Sequence, residues 1–331
     1  MQIKYRFLTA GESHGKDLTA IIEGIPAGFE VDVDFINSEL ARRQQGYGRS
    51  DRMKLENDTV EITSGVRDGK TTGAPVTIVI ENKNRDNAQT PFTAYRPGHA
   101  DYAGSVKYDH KDLRNVLERS SARKTAIEVA VGAVAKLILR EFGIEGHSNI
   151  LDEDLHARID AAKAAGDTIG GKFEVIYEGL PVGLGSYVHW DRAIDGKLAQ
   201  AVMSIPAIKA VEIGTNLRGM TGSEYHDEMF LESGQITRKT NNAGGVEGGM
   251  TNGEPLVIRA VMKPIPTMKK ALRTVTTDLT ETEAYFERSD TCAVEAAAVV
   301  AEARVAWVLV DEFLLKYGGD SLEEIKRNYE K

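Results

Sequence analysis

The sequence predicts an α+β fold, a β-α-β sandwich with a central helix layer between two sheets and an internal pseudo-two-fold duplication. Three observations lead there. Short motifs recur in the same order along the chain, two long Ala/Val-rich runs are apolar on most helical faces, and four short segments are alternating or β-branched as strands are. A chain of 331 residues is long enough for one large core or two small ones.

Four matches carry the duplication. IEGIPAG at 22–28 returns as YEGLPVG at 177–183, and VEI at 60–62 returns as VEI at 211–213. PVTIVIENKN from Pro75 is echoed by PLVIRAVMKP from Pro255, and the ERS that opens one Ala/Val-rich run at Glu118 recurs at Glu287. No Pro/Gly/Ser-rich linker separates the copies, as independent domains would show. The expectation is a single domain over 1–331 built from two similar halves, about 1–150 and 151–316, with a short polar C-terminal helix over 321–331.

The elements follow from local pattern. Gly11–Gly15 lies between apolar Phe7-Leu8 and Leu18–Ile22 and reads as a tight strand-to-strand turn. Segments 34–43 and 192–204 are amphipathic and predict helices; 60–64, 75–81, 172–178 and 255–262 predict strands. Ser121–Phe142 places Ala122, Ala126, Val129, Ala133 and Ile138 at helical spacing, with small residues that permit close helix approach. The run 290–310 is apolar nearly all round, which predicts a buried helix packed on the first about the pseudo-axis, with Asp290 as its N-cap.

Composition removes several function classes. Asp plus Glu outnumber Lys plus Arg by 50 to 41, so the surface as a whole repels nucleic acid and anionic lipid, and any anion site must be local. No apolar run is long enough to span a membrane and no secretory signal follows Met1, which predicts a cytoplasmic protein. Cys292 is the single cysteine, so an intramolecular disulfide and a multi-cysteine metal site are both excluded; it reads as core packing. His110, His147, His156, His189 and His226 lack metal-ligand spacing, and no metal is expected.

Chemistry is concentrated in loops. His14, in the glycine-flanked turn, is placed either to donate a proton to a ligand or simply to bond its own turn. His99 sits in Arg96-Pro97-Gly98-His99-Ala100-Asp101, where Asp101 either orients the ring or is solvated. Arg42, Arg43, Arg49 and Arg52 fall at a predicted helix end and a Gly-rich loop, suited to aiming guanidinium forks at carboxylates or phosphate. Arg119, Ser120, Ser121 and Arg123 form a second basic, hydroxyl-rich cluster where a helix is expected to begin, so that free N–H groups attract phosphate. A Gly-rich segment, 241–249, precedes a strand that exits at Lys263 into a rigid Pro-x-Pro turn; it is neither a dinucleotide fingerprint nor a Walker loop.

Seven ordered motifs together resemble the chorismate synthase family: GESHG at 11–15, ARRQQGYGRS at 41–50, RPGHAD at 96–101, ERSSARKTA at 118–126, NNAGGVEGGMTNGEP at 241–255, KPIPT at 263–267 and ERSDTCAV at 287–294. The resemblance implies a homotetramer that binds reduced FMN and 5-enolpyruvylshikimate-3-phosphate and eliminates phosphate in an anti 1,4 sense to give chorismate. It implies that His14 protonates the departing phosphate, that His99 manages protonation at the flavin, and that Asp290 helps return the proton taken from the substrate. Arg43 and Arg49, with Ser13 and Arg123, are implied to hold substrate anions or the nicotinamide nucleotide; whether the chain reduces its own flavin with NADPH or draws on an external reductase stays open. Arg119, Ser120, Ser121, Pro206, Ala207, Gly248, Lys263, Pro264, Ile265, Pro266, Thr267 and Arg288 match flavin-contacting positions. Two departures stand out. Glu295 replaces a usual proline, and the chain is short around 84–92 and 267–285.

Overall fold

The structure is a computed structural model and describes residues 4–49, 57–83, 91–284 and 290–331. The chain begins with β1 (Arg6–Ala10), β2 (Asp17–Glu23), α1 (Val33–Gln44), β3 (Val60–Ser64), the small hairpin β4 (Val66–Arg67) and β5 (Lys70–Thr71), and β6 (Val76–Glu81). Helices α2 (Asp101–Tyr108), α3 (Arg114–Ser120) and α4 (Thr125–Arg140) follow. Next come β7 (Glu145–Ile150), α5 (Leu155–Ala164), β8 (Gly171–Glu178), α6 (Ile194–Met203), β9 (Ile208–Ile213) and the one-turn α7 (Gly222–Tyr225). Hairpins β10 (Met229–Glu232) with β11 (Gln235–Arg238) and β12 (Val246–Glu247) with β13 (Met250–Thr251) lead to β14 (Leu256–Met262). The hairpin β15 (Arg273–Val275) and β16 (Glu281–Glu283) precedes α8 (Val294–Tyr317) and α9 (Leu322–Tyr329).

Two four-stranded antiparallel sheets form, ordered β1-β2-β6-β3 and β7-β8-β14-β9. In each, the strands stand in the same relation to chain order, first, second, fourth and third. Alternation sets the inner faces: Leu18, Ala20 and Ile22 of β2 and Val76, Ile78 and Ile80 of β6 are buried, as are Leu256, Ile258, Ala260 and Met262 of β14. Helices α4 and α8 fill the space between. Every α4 residue from Thr125 to Lys136 is buried, and so is every α8 residue from Ala296 to Ala306. The helices meet where Gly132 lies against Ala303, a contact that only small residues allow.

Two predicted helix starts shift. The 121–142 segment opens with a 3₁₀ turn, Ala122–Lys124, before α4, and α8 begins at Val294 rather than 290. Asp290 therefore is not an N-cap; α8 has no side-chain cap, and Glu295 instead supplies acidic charge in its first turn. Residues 290–293 are drawn away from helical geometry because the Thr291 N–H donates to the Gly48 carbonyl (2.9 Å) and Asp290 faces Arg49.

Candidate active site

Gly11 opens the β1–β2 turn at φ +107°, and a Cβ there would lie 2.3 Å from the Asp17 carbonyl oxygen. The turn docks on the end of α3. Ser13 N–H donates to the Glu118 carbonyl (2.9 Å), His14 N–H donates to Glu118 Oε2 (2.8 Å), and His14 Nδ1 lies 2.8 Å from Glu118 Oε1. Ser13 Oγ donates to Ser121 Oγ (3.2 Å), so motifs at 11–15 and 118–126 share one surface. Asn82 holds the turn from the other side, donating to the carbonyls of Glu12 (3.1 Å) and Gly15 (2.9 Å).

Arg119 and Ser120 close α3 instead of opening a helix, since extended Ser121 breaks the helix and caps the following 3₁₀ turn by accepting from Arg123 N–H (3.2 Å). Arg119 is committed to structure: it donates to the Gly11 and Thr9 carbonyls at 2.9 Å and to the Thr9 hydroxyl at 3.0 Å. Arg123 forks onto Asp58 (2.6 and 2.9 Å) and donates to Asn82 Oδ1 (3.0 Å). Arg43, buried at the end of α1, donates to Thr125 Oγ1 (2.9 Å) and the Ala122 carbonyl (3.2 Å) and lies 3.9 Å from the same Asp58 carboxylate. Two guanidinium groups thus face one carboxylate. Arg42 points elsewhere, into a buried cluster with Glu39, Lys136 and Glu302.

The 96–101 loop is equally tied. Pro97 and Gly98 (φ +78°) make a turn closed by His99 N–H donating to the Arg96 carbonyl (3.1 Å). Asp101, fully buried at the start of α2, accepts from Arg96 Nε and Nη2 (2.8 Å each) and lies 2.9 Å from His99 Nδ1. Burial pushes the Asp101 carboxyl up, but hydrogen bonds and charge from Arg96 and His99 outweigh it and hold it well below the usual carboxylate range. Lys263, just past β14, donates its ammonium to the Gly98 carbonyl, which brings the KPIPT turn to this loop.

Arg49 and Asp290 pair at 2.9 Å, joining the Gly-rich arginine loop to the segment before α8. Gly48 packs over Cys292, whose burial raises its thiol, so the cysteine is core as read from sequence. The Ile169 N–H donates to the Thr291 carbonyl (3.0 Å) and Thr168 Oγ1 to the Ile265 carbonyl (2.6 Å), tying this segment to the KPIPT turn. Ala207 takes φ +72° after Pro206, and its carbonyl accepts from Lys263 N–H (2.9 Å). Thr267 is buried in the same turn. Gly248 turns the β12–β13 hairpin, with open space where a Cβ would stand. Arg288 lies outside the described residues.

The donor set fits an anionic flavin nucleotide. Ser120 Oγ is buried with no hydrogen-bond partner among the described residues; Arg43 and Arg123 stand at the α3–α4 junction, and Lys263 stands at the β14 exit. No protein group hydrogen-bonds Nε2 of His14 or His99 among the described residues, and both rings are about one-fifth exposed, at 20% and 18%. A small pocket of about 40 Å³ among Glu39, Arg42, Lys136 and Tyr177 is lined by neither of these rings. Among the described residues no group of His, Cys, Asp and Glu side chains is arranged to hold a metal, and no helix is long and apolar enough to cross a membrane.

Sequence reasoning missed Glu118, Asn82, Asp58 and Arg96 as site residues. Glu118 and Arg96 stood inside recognised motifs; Asn82 and Asp58 act through contacts that only the fold creates, reaching Arg123 across 41 and 65 residues.

A sequence model of the family described as chorismate synthase matches residues 5–152 and 147–314. The chain is 53% identical over 342 residues to a chorismate synthase from Caldanaerobacter subterraneus subsp. tengcongensis, covering 98% of this chain and 97% of that one. It is 54% identical over 340 residues to one from Thermoanaerobacter pseudethanolicus, with the same coverage. A crystal structure described as chorismate synthase superposes with a TM-score of 0.82 at 42% identity, covering 98% of this chain and 96% of the other.

Proposed function

The chain belongs to the chorismate synthase family, a lyase by that membership, and we propose from that premise that it converts 5-enolpyruvylshikimate-3-phosphate to chorismate in a reduced-FMN-dependent anti 1,4-elimination of phosphate. The observation that carries this reading is the pair of carboxylate-held histidines, His14 on Glu118 and His99 on Asp101, each with Nε2 left to a ligand. Reduced FMN, when bound, supplies reversible electron donation, so the reaction runs with no net redox change. His14 gives a proton to the departing phosphate, which leaves more readily when protonated. His99 holds or moves a proton at the flavin side, and Asp290, steadied by Arg49, helps return the proton taken from the substrate.

Arg43, Arg49, Arg123 and Ser13 orient the substrate anions, or in the case of Arg43 and Arg49 a nicotinamide nucleotide. The residues that would hold the flavin are Ser120, Ser121, Pro206, Ala207, Gly248, the Lys263–Thr267 turn and Arg288, with Arg119 bracing the β1 end beneath them. The repeated strand order supports one domain of two similar halves, and we read the working form as a cytoplasmic homotetramer. Anaerobic incubation with the substrate and chemically reduced FMN tests the reaction. Chorismate and phosphate are expected in equal amounts while the flavin stays reduced. Flavin binding without chorismate formation would reject the lyase reading.

A further inference from the structure

Arg96, His99 and Asp101 form a closed triangle of polar atoms. Arg96 Nη2 lies 2.8 Å from Asp101 Oδ1 and 3.0 Å from His99 Nδ1, while Nδ1 lies 2.9 Å from Oδ1. The two N–H bonds on one guanidinium nitrogen diverge by about 120° in the plane, twice the corner of so nearly equilateral a triangle. Nη2 therefore reaches both Oδ1 and Nδ1 only through bonds bent by about 30° each, so its hydrogen bond to Nδ1 is a weak one. A lone pair on Nδ1 would then face a carboxylate oxygen at hydrogen-bond distance and be repelled, whereas a proton there is bonded. The Asp101 carboxylate is forked by Arg96 Nε and Nη2 and also accepts from the Arg96 backbone N–H (3.0 Å), so its position is fixed from three directions before the histidine is added.

The charge pattern differs from that at His14. Glu118 accepts from the His14 ring and backbone, and no guanidinium or ammonium contacts its carboxylate among the described residues. Asp101 has a guanidinium as near to the His99 ring as its own oxygen is. We propose that Arg96 and Asp101 are positioning residues that hold His99 as its Nδ1–H tautomer and cancel each other's charge beside the ring, leaving Nε2 as the nitrogen that exchanges protons with the ligand. The proposal deepens the reading of His99 as a reactive group and rests on it. Charged groups contacting the loop are Arg96 and Asp101 within it and Lys263 from the end of β14.

The test is nitrogen-15 NMR of the full chain labelled at histidine, with neither flavin nor substrate added, on wild type, Arg96→Gln, Arg96→Lys and Asp101→Asn. Wild-type His99 is expected to show a protonated Nδ1 and an unprotonated Nε2 at high pH, and Asp101→Asn is expected to lose that single tautomer. Arg96→Gln uncovers the carboxylate charge, so its His99 titration midpoint is expected to move up by about 1 pH unit or more. Arg96→Lys, which keeps charge but loses the fork, is expected to move less. An Nε2–H tautomer in wild type, or an unmoved midpoint in Arg96→Gln, would overturn the proposal; should Arg96→Gln not fold, the wild-type tautomer and the Arg96→Lys midpoint decide it. These readings are independent of turnover, so a failure of the lyase assignment is seen separately in the chorismate assay. If both hold, the corresponding limb of the pH–rate profile moves upward in Arg96→Gln as well.

Discussion

Gly132 of α4 and Ala303 of α8 approach so closely that a Cβ on the glycine would lie 2.3 Å from that of Ala303 and 2.6 Å from its carbonyl oxygen. The glycine is what lets two helices buried on nearly all sides share one layer. Gly132→Ala must push the backbones apart, and a cost of about 1–3 kcal/mol is expected, with Gly132→Val worse. The urea midpoint at pH 7 measures it; an unchanged midpoint would show that the layer is not packed at this spacing.

His14 depends on Glu118 for orientation through two bonds of 2.8 Å, one from its backbone and one at its ring. Glu118→Gln removes the charge while keeping an acceptor, and the rate of chorismate formation is expected to fall about tenfold or more, equivalent to about 1.4 kcal/mol of barrier. His14→Ala and His99→Ala are each expected to lose at least as much. Circular dichroism on the same samples separates lost chemistry from lost fold.

Asp101 ties acid stability to the 96–101 loop. Its carboxyl is held below its ordinary range in the folded chain, so its stabilisation is present above the unfolded value near 3.9 and is lost as pH falls through the folded value. Asp101→Asn leaves Arg96 buried without its carboxylate, and a loss of about 3–5 kcal/mol is expected at pH 7. The gap between variant and wild type should narrow as unfolding is followed below about pH 4. A gap that widens in acid would contradict this sign.

Ala207 adopts φ +72°, where a side chain is strained, and its carbonyl accepts from the Lys263 N–H. Ala207→Gly is expected to stabilise the chain by up to about 1 kcal/mol, seen as a higher thermal midpoint, because the backbone bond survives and the strain does not. A lower midpoint would mean that the methyl group packs usefully.

Where residues alternate or are β-branched, sequence and structure coincide. β3 spans 60–64 as read, and β6, β8 and β14 each differ by one residue at one end. β7 was not legible, since EGHSNI has no apolar alternation and is a strand only because β8 pairs with it. The two long helices began late because their leading residues are recruited into loop contacts, Asp290 by Arg49 and Ser121 by Ser13. Motif histidines were legible as residue types in glycine turns. Asp101 was legible beside His99 as one of two readings, but Glu118 reaches His14 across 104 residues, and the Arg96 fork onto Asp101 is set by burial that no spacing announces.

The α4–α8 contact also has a temporal side. Helix α4 ends at Arg140, whereas the helix that covers its second face is not complete until Tyr317. At ribosomal speeds of about 5–20 residues per second, an apolar helix emerges with one side bare for on the order of ten to thirty seconds. During synthesis that side is a surface for chaperones to cover, and the same stretch of helix is where a stalled or truncated chain would aggregate.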